Sequence, residues 1–279
     1  MNNILVRTLS GGVFVAIILI PLFLSREIAA GVFGVFMALG LIEFYKLFDK
    51  TESVSIDWKT GLVYGIISYC IFAFSFFGEH FGEHYYSRWM LLMLILVPLF
   101  FLIVIKELWR EKKNPLLNVS ILGFGIIYVV LPFIFMLFFI HDDLSHFPSL
   151  AGMFILIWMN DTFAFLSGKF FGKTKLIERI SPNKTWEGAI GGIIFTLLAG
   201  VIIGILFDPE KIVFWSISAA IIAPCAIIGD LLESLFKRNA NVKDSGTIMP
   251  GHGGILDRFD ATLFTAPFFL VWTLIYMYF

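Results

Sequence analysis

The sequence predicts an all-α, polytopic integral membrane protein of about nine transmembrane helices, with the N-terminus cytoplasmic and the C-terminus external or periplasmic. Three observations carry this. The 279 residues are 59% apolar and 15% charged, with 33 Phe, 7 Trp and a mean hydropathy of +0.90, which excludes a water-soluble globular class. The apolar residues form continuous runs instead of alternating, so helices, not a barrel, would satisfy the backbone in lipid. Basic residues are one-sided: with the N-terminus inside, 17 of the 20 Lys and Arg fall in cytoplasmic segments, and only Arg26, Arg88 and Lys211 lie outside.

A bilayer core needs about 20 helical residues. Runs of that order fall at about 4–24, 28–45, 61–77, 88–105, 118–140, 149–168, 188–207, 212–235 and 259–278. Arg7 followed by an apolar stretch resembles the start of a signal peptide, but no small-x-small cleavage site follows, so a first span is expected. Residues 1–117 read as an N-terminal transmembrane region whose loops carry little chemistry. Residues 118–279 read as the catalytic region, with cytoplasmic segments at 169–187 and 236–258 rich in Gly, Lys, Asp and Ser. Cys70 and Cys225 both lie within spans, which leaves no disulfide framework and no cysteine-based metal site. EHFGEH at 79–84 and HDDLSH at 141–146 have metal-like spacing, but they fall on the external side and read as solvated loops.

Chemistry first shows in acids embedded in apolar sequence. Asp161 lies in FILIWMNDTFAFL and Asp230 in APCAIIGDLLESLF. An ionised carboxylate in mid-membrane costs on the order of 3 kcal/mol, so each should face protein, water or a cation. In GDLLESLFKR, Asp230, Glu233 or Ser234, and Lys237 share one helical face. Asp257 and Asp260, three apart at the start of the last run, share another. Asp230, Asp257 and Asp260 are thus expected to meet at the cytoplasmic mouth of the last two spans. Hard divalent cations such as Mg2+ take oxygen ligands, often carboxylates together with substrate phosphates. Lys184, Lys237, Arg238, Lys243 and Arg258 beside such a cluster supply the charge a triphosphate needs.

Glycines add a backbone reading. In PGHGG, Gly251, Gly253 and Gly254 allow positive φ and close approach of main-chain N–H groups to an anion. In SPNKTWEGAIGG, Ser181 is expected to cap the seventh span with Pro182 at its first position, aiming helix N–H groups beside Asn183 and Lys184. No Walker or dinucleotide glycine pattern is present. His252 reads as a phosphate contact or loop-ordering residue ahead of a general base, because a phosphate nucleophile is already anionic at neutral pH.

The run SLFKRNANVKDSGTIMPGHGGILDRFD, Ser234 to Asp260, resembles the hallmark motif of the phosphatidate cytidylyltransferases, the CDP-diacylglycerol synthases. The resemblance extends upstream through NDTFAFLSGKFFGKTKLIERISPNKTWEGAIGG, and so covers the chain from about residue 155; Phe165 departs from the tyrosine of many relatives. It implies a membrane enzyme converting CTP and phosphatidic acid to CDP-diacylglycerol and pyrophosphate with Mg2+ and a second cation such as K+, often as a homodimer. The resemblance makes Asp230, Asp257 and Asp260 the metal carboxylates. The catalytic set is then Asp230, Asp257, Asp260, Lys243 and His252. The substrate-binding set is Ser181, Asn183 and Lys184 upstream, Lys237, Arg238 and Asp244 after the eighth span, then Gly253, Gly254 and Arg258, together with Asp161.

The reaction expected is in-line displacement at the α-phosphorus of CTP by the lipid phosphate, at a bacterial inner membrane with the site facing the cytoplasm. Rival readings are a CTP-dependent lipid kinase, a CDP-alcohol phosphotransferase, whose clustered-aspartate run is absent here, and an ion or proton transporter suggested by Asp161 and Asp230.

Overall fold

The computed structural model describes residues 3–49, 54–77, 85–141, 147–246, 248 and 253–278. Its helices follow the apolar runs to within a turn: α1 Asn3–Leu24, α2 Arg26–Phe48, α3 Trp58–Phe77, α4 Tyr85–Leu108, α5 Pro115–Gly125, α6 Leu131–His141, α7 Ser149–Phe171, α8 Trp186–Phe207, α9 Ile212–Asn239 and α10 Leu256–Tyr278. α5 and α6 continue through a π-helical turn, Ile126–Val130, into one apolar rod. Among the described residues, seven helices are long and apolar enough to cross a membrane. The protein is all-α and polytopic. Its one sheet there is a short antiparallel hairpin of β1 Lys175–Ile177 and β2 Ser181–Thr185.

Two compact units make up the chain. The first comprises residues 1–141 with 244–257, and the boundary expected after residue 117 falls inside it, at the start of the α5–α6 rod. Its core centres on Phe33, Phe44, Tyr45 and Phe133, all fully buried. Tyr45 shows how this core is fixed. Its hydroxyl donates to the Leu122 carbonyl at 2.9 Å, and its ring lies so close to Gly61 that a methyl there would stand 2.6 Å from it. Tyr69 repeats the device, donating to Ala30 O at 2.8 Å with Gly34 beneath its ring. Small residues let helices approach where lipid supplies no hydrophobic drive, and a bonded hydroxyl removes the cost of burying it. At one end of this unit Asp57 accepts from Lys106 Nζ and Thr60 Oγ1, tying the α3 start to the α4 end.

The second unit comprises residues 142–243 and 258–279. α8 reads inside out relative to a soluble helix. Its buried face is Gly188, Gly192, Thr196, Ala199 and Gly200, whereas Ile190, Ile194, Leu198 and Ile202 are each about half exposed. A small-residue face against protein and a bulky apolar face outward is the pattern of a helix solvated by lipid tails. Gly152 abuts the Trp215 ring so tightly that even a methyl would collide with it. Phe214, Trp215 and Phe269 form the buried aromatic centre, and Trp272 Nε1 donates to Ser218 Oγ at 3.0 Å.

The cap of α8 differs from the expectation. Ser181 and Pro182 lie in β2, and Thr185 is the N-cap, with extended backbone and its Oγ1 accepting from Gly188 N at 3.2 Å. Pairing of 181–185 with 175–177 takes Ser181 into a ladder, so the first available hydroxyl at the helix start is Thr185. Glu187 in the first turn accepts from Lys173 N and Thr174 N, closing the hairpin onto that helix end.

Candidate active site

Three helices and the hairpin of the second unit bring charged groups together. Gly229 comes one residue before Asp230 in α9, and a methyl on it would stand 2.8 Å from Asp260 O and 2.9 Å from Ala261 Cα. That bare backbone lets α9 lie directly on α10 and sets Asp230 beside Asp260. Asp260 interacts electrostatically with Asp230, Asp161 and Lys237, and Asp161 with Asp230, Lys184 and Arg258. Lys184 Nζ, carried by β2, lies 2.5 Å from Asp230 Oδ2, and the pair is about one-third exposed. Ser234 Oγ donates to Asp230 Oδ1 at 3.4 Å, one turn along α9.

Several expected substrate contacts have protein partners. Lys237 pairs with the fully buried Glu233 at 2.5 Å. Arg238 Nε donates to Ile180 O at 3.3 Å and one terminal nitrogen to Val242 O at 3.4 Å, so it moors the hairpin to the end of α9. Lys243 and Asn183 are exposed. Asn160, next to Asp161, has its Oδ1 buried without a partner against Gly192. Arg258 Nε is likewise buried without a hydrogen-bond partner.

Asp257 belongs to the first unit, which also holds the exposed Asp244. Its Oδ2 accepts from Gly254 N at 2.7 Å and from Ser245 N and Oγ at 2.9 Å each, which ties the base of the glycine-rich loop. Gly253 has φ +81, and a side chain there would strike the Asp257 carboxylate, so the positive-φ reading holds at this glycine. His252 and Gly251 lie outside the described residues, as do EHFGEH and all of HDDLSH after His141. Among the described residues no three acidic, His or Cys groups stand close enough to hold a metal ion as placed. Asp161, Asp230 and Asp260 nevertheless offer the hard oxygen donors a divalent cation takes, with Lys184, Arg258 and Lys237 as the positive charges around them.

One residue of this region was missed in the sequence. Glu43, in α2, is 6% exposed; its Oε2 accepts from Leu256 N at 2.8 Å and lies 3.3 Å from Ser245 Oγ, whose one proton it shares with Asp257. The signal was available: a glutamate within LGLIEFYKLF is as anomalous as Asp161 in its run.

The profile of the Cytidylyltransferase family matches residues 5–276. The phosphatidate cytidylyltransferase of Haemophilus influenzae is 43% identical over 136 residues, 46% of each chain, so the present chain matches about half the length of that relative. That of Staphylococcus saprophyticus is 37% identical over 174 residues, 62% of this chain and 65% of its own. For that of Staphylococcus aureus strain COL the match is 31% over 265 residues, 94% of this chain and 96% of its own. A match that runs through the helices of both units and through every residue of the charged cluster is not a shared motif on an unrelated fold: the chain belongs to the cytidylyltransferase family.

Proposed function

We propose that this chain transfers the cytidylyl group of CTP to phosphatidate, giving CDP-diacylglycerol and pyrophosphate. The observation that carries this reading is the Lys184–Asp230 pair inside the Asp161, Asp230 and Asp260 cluster, in a chain whose family moves cytidylyl groups. The substrates come from the names of the relatives, phosphatidate cytidylyltransferases.

A phosphatidate oxygen forms a bond to the α-phosphorus of CTP as the bond to the bridging oxygen breaks, and pyrophosphate leaves with that electron pair. The nucleophile is an anion at neutral pH, so the protein's work is alignment and charge neutralisation, not proton removal. Lys184 and Arg258 bring positive charge to the carboxylate cluster, where phosphates of both substrates would lie. Lys243 would add a third positive charge and the glycine-rich loop main-chain donors. Asp230 and Asp260 would hold Mg2+, which would screen phosphate charge when bound, and the resemblance adds Asp257 as a further carboxylate. A monovalent ion such as K+ and a homodimer belong to the same proposal.

The basic residues orient the chain with this chemistry at the cytoplasmic face of a bacterial inner membrane, across nine spans with the C-terminus outside. The lipid tails would stay in the bilayer beside bulky outward faces such as that of α8. Purified protein with CTP, phosphatidate and Mg2+ tests the reading: pyrophosphate should appear one for one with CDP-diacylglycerol. Pyrophosphate release that ignores added phosphatidate would contradict it.

A further inference from the structure

Glu43 has no role in the reaction as derived above, yet its placement is costly. It stands near the end of α2 within apolar sequence, almost wholly buried, and Oε1 has no hydrogen-bond partner. A carboxylate kept under those terms costs stability, so some other requirement retains it.

The first unit shows what surrounds it. Oε2 accepts from the backbone N–H of Leu256, the first residue of α10, and competes with Asp257 for the one proton of the Ser245 hydroxyl, 202 residues away in sequence. Gly246 and Gly254 lie on either side: a methyl on Gly246 would run into Oε1, and one on Gly254 into Oε2. The two glycines also meet each other, with a Gly246 methyl only 3.2 Å from Gly254 Cα. Asp257 takes the N–H groups of Ser245 and Gly254. Two carboxylates therefore close the neck of the 246–254 loop, one local and one from α2.

We propose that Glu43 is a positioning residue for catalysis: from α2 it locks the neck of the glycine-rich loop at Ser245, Gly246 and Gly254 and the start of α10, and thereby fixes Asp257. The N-terminal unit is then part of the catalytic machinery and not only a membrane anchor. This rests on the proposed cytidylyl transfer for its kinetic readout. The bonding argues for the anchor independently. A negative group at the amino end of α10 also lies where the helix dipole favours it.

Full-length protein is compared as wild type, Glu43→Ala and Glu43→Gln by hydrogen exchange and by steady-state kinetics. Glu43→Ala should raise exchange across residues 245–256 about tenfold, leave α7 to α9 unchanged, and lower kcat about tenfold with KM for CTP within about threefold of wild type. Glutamine keeps an acceptor for Leu256 N–H, so Glu43→Gln should stay within about threefold of wild type in both readouts. A protein folded through α7 to α9 whose loop exchange and kcat both match wild type after Glu43→Ala overturns the proposal. So does loosening of the loop with no change in kcat. Should Glu43→Ala fail to fold, Gly246→Ala pushes on the same carboxylate from the loop side and must give the same pattern; wild-type behaviour there overturns it equally. If wild-type protein moves no cytidylyl group, the proposed function has failed, and the exchange arm alone reports on the anchor.

Discussion

Lys184 Nζ lies 2.5 Å from Asp230 Oδ2 and joins the hairpin before α8 to the second half of α9. The pair is about one-third exposed, so its contribution to stability is at most about 1 kcal/mol. Aimed at a polyphosphate, the same ammonium is worth far more. Lys184→Ala should lower kcat/KM about a hundredfold with a melting temperature near that of wild type. Loss of activity in step with loss of folded protein would make the pair structural instead.

Gly229 makes a second prediction, about packing that serves chemistry. A methyl there would press on Asp260 O and Ala261 Cα, so Gly229→Ala must move α9 from α10 at the point where Asp230 and Asp260 face each other. The expected cost is about 1–3 kcal/mol in thermal unfolding, together with about a tenfold fall in kcat. Gly152→Ala strikes Trp215, away from the charged cluster, and should show a similar stability cost with kcat preserved in the folded fraction.

The cap of α8 gives a third. Thr185→Ala should cost about 1 kcal/mol, because Gly188 N loses its acceptor. Ser181→Ala, in β2, should change stability by less than about 0.5 kcal/mol. Thermal melts of the two variants decide between the positions.

These residues mark where sequence reasoning reached its range. Helix positions were legible because lipid leaves a continuous apolar run few alternatives, and each helix lies within a turn of its run. Asp230 and Asp260 were legible as charges in apolar sequence whose spacing fixed their faces. The α8 cap was not, because a five-residue strand claimed Ser181 and nothing in SPNKT announces its partner at 175–177. Nor was the bond of Glu43 to Ser245, since periodicity says which face a residue occupies but not what arrives there from 202 positions away. Helix spacing puts Asp257 on one face with Asp260, but it does not reveal that Asp257 Oδ2 also accepts from Ser245 and Gly254.

A fourth prediction concerns pH. Burial opposes ionisation of Asp57, but bonds from Lys106 and Thr60 outweigh it and hold the carboxyl below its ordinary 3.8. With the folded value depressed, the stability it contributes is complete above the unfolded value and disappears as pH falls through the folded one. Asp57→Asn should therefore cost up to about 1 kcal/mol from about pH 5 upward, and the gap to wild type should close below about pH 4. Melting curves of both proteins across that range check it; a gap that widens in acid would contradict the assignment.

The most direct measurement follows the label from CTP. Purified protein is given phosphatidate, Mg2+ and CTP carrying 32P at either the α or the γ position, and the lipid fraction is counted. Cytidylyl transfer predicts that α label enters lipid and γ label leaves wholly as pyrophosphate. Label from the γ position in the lipid would mean a lipid kinase and would contradict the account.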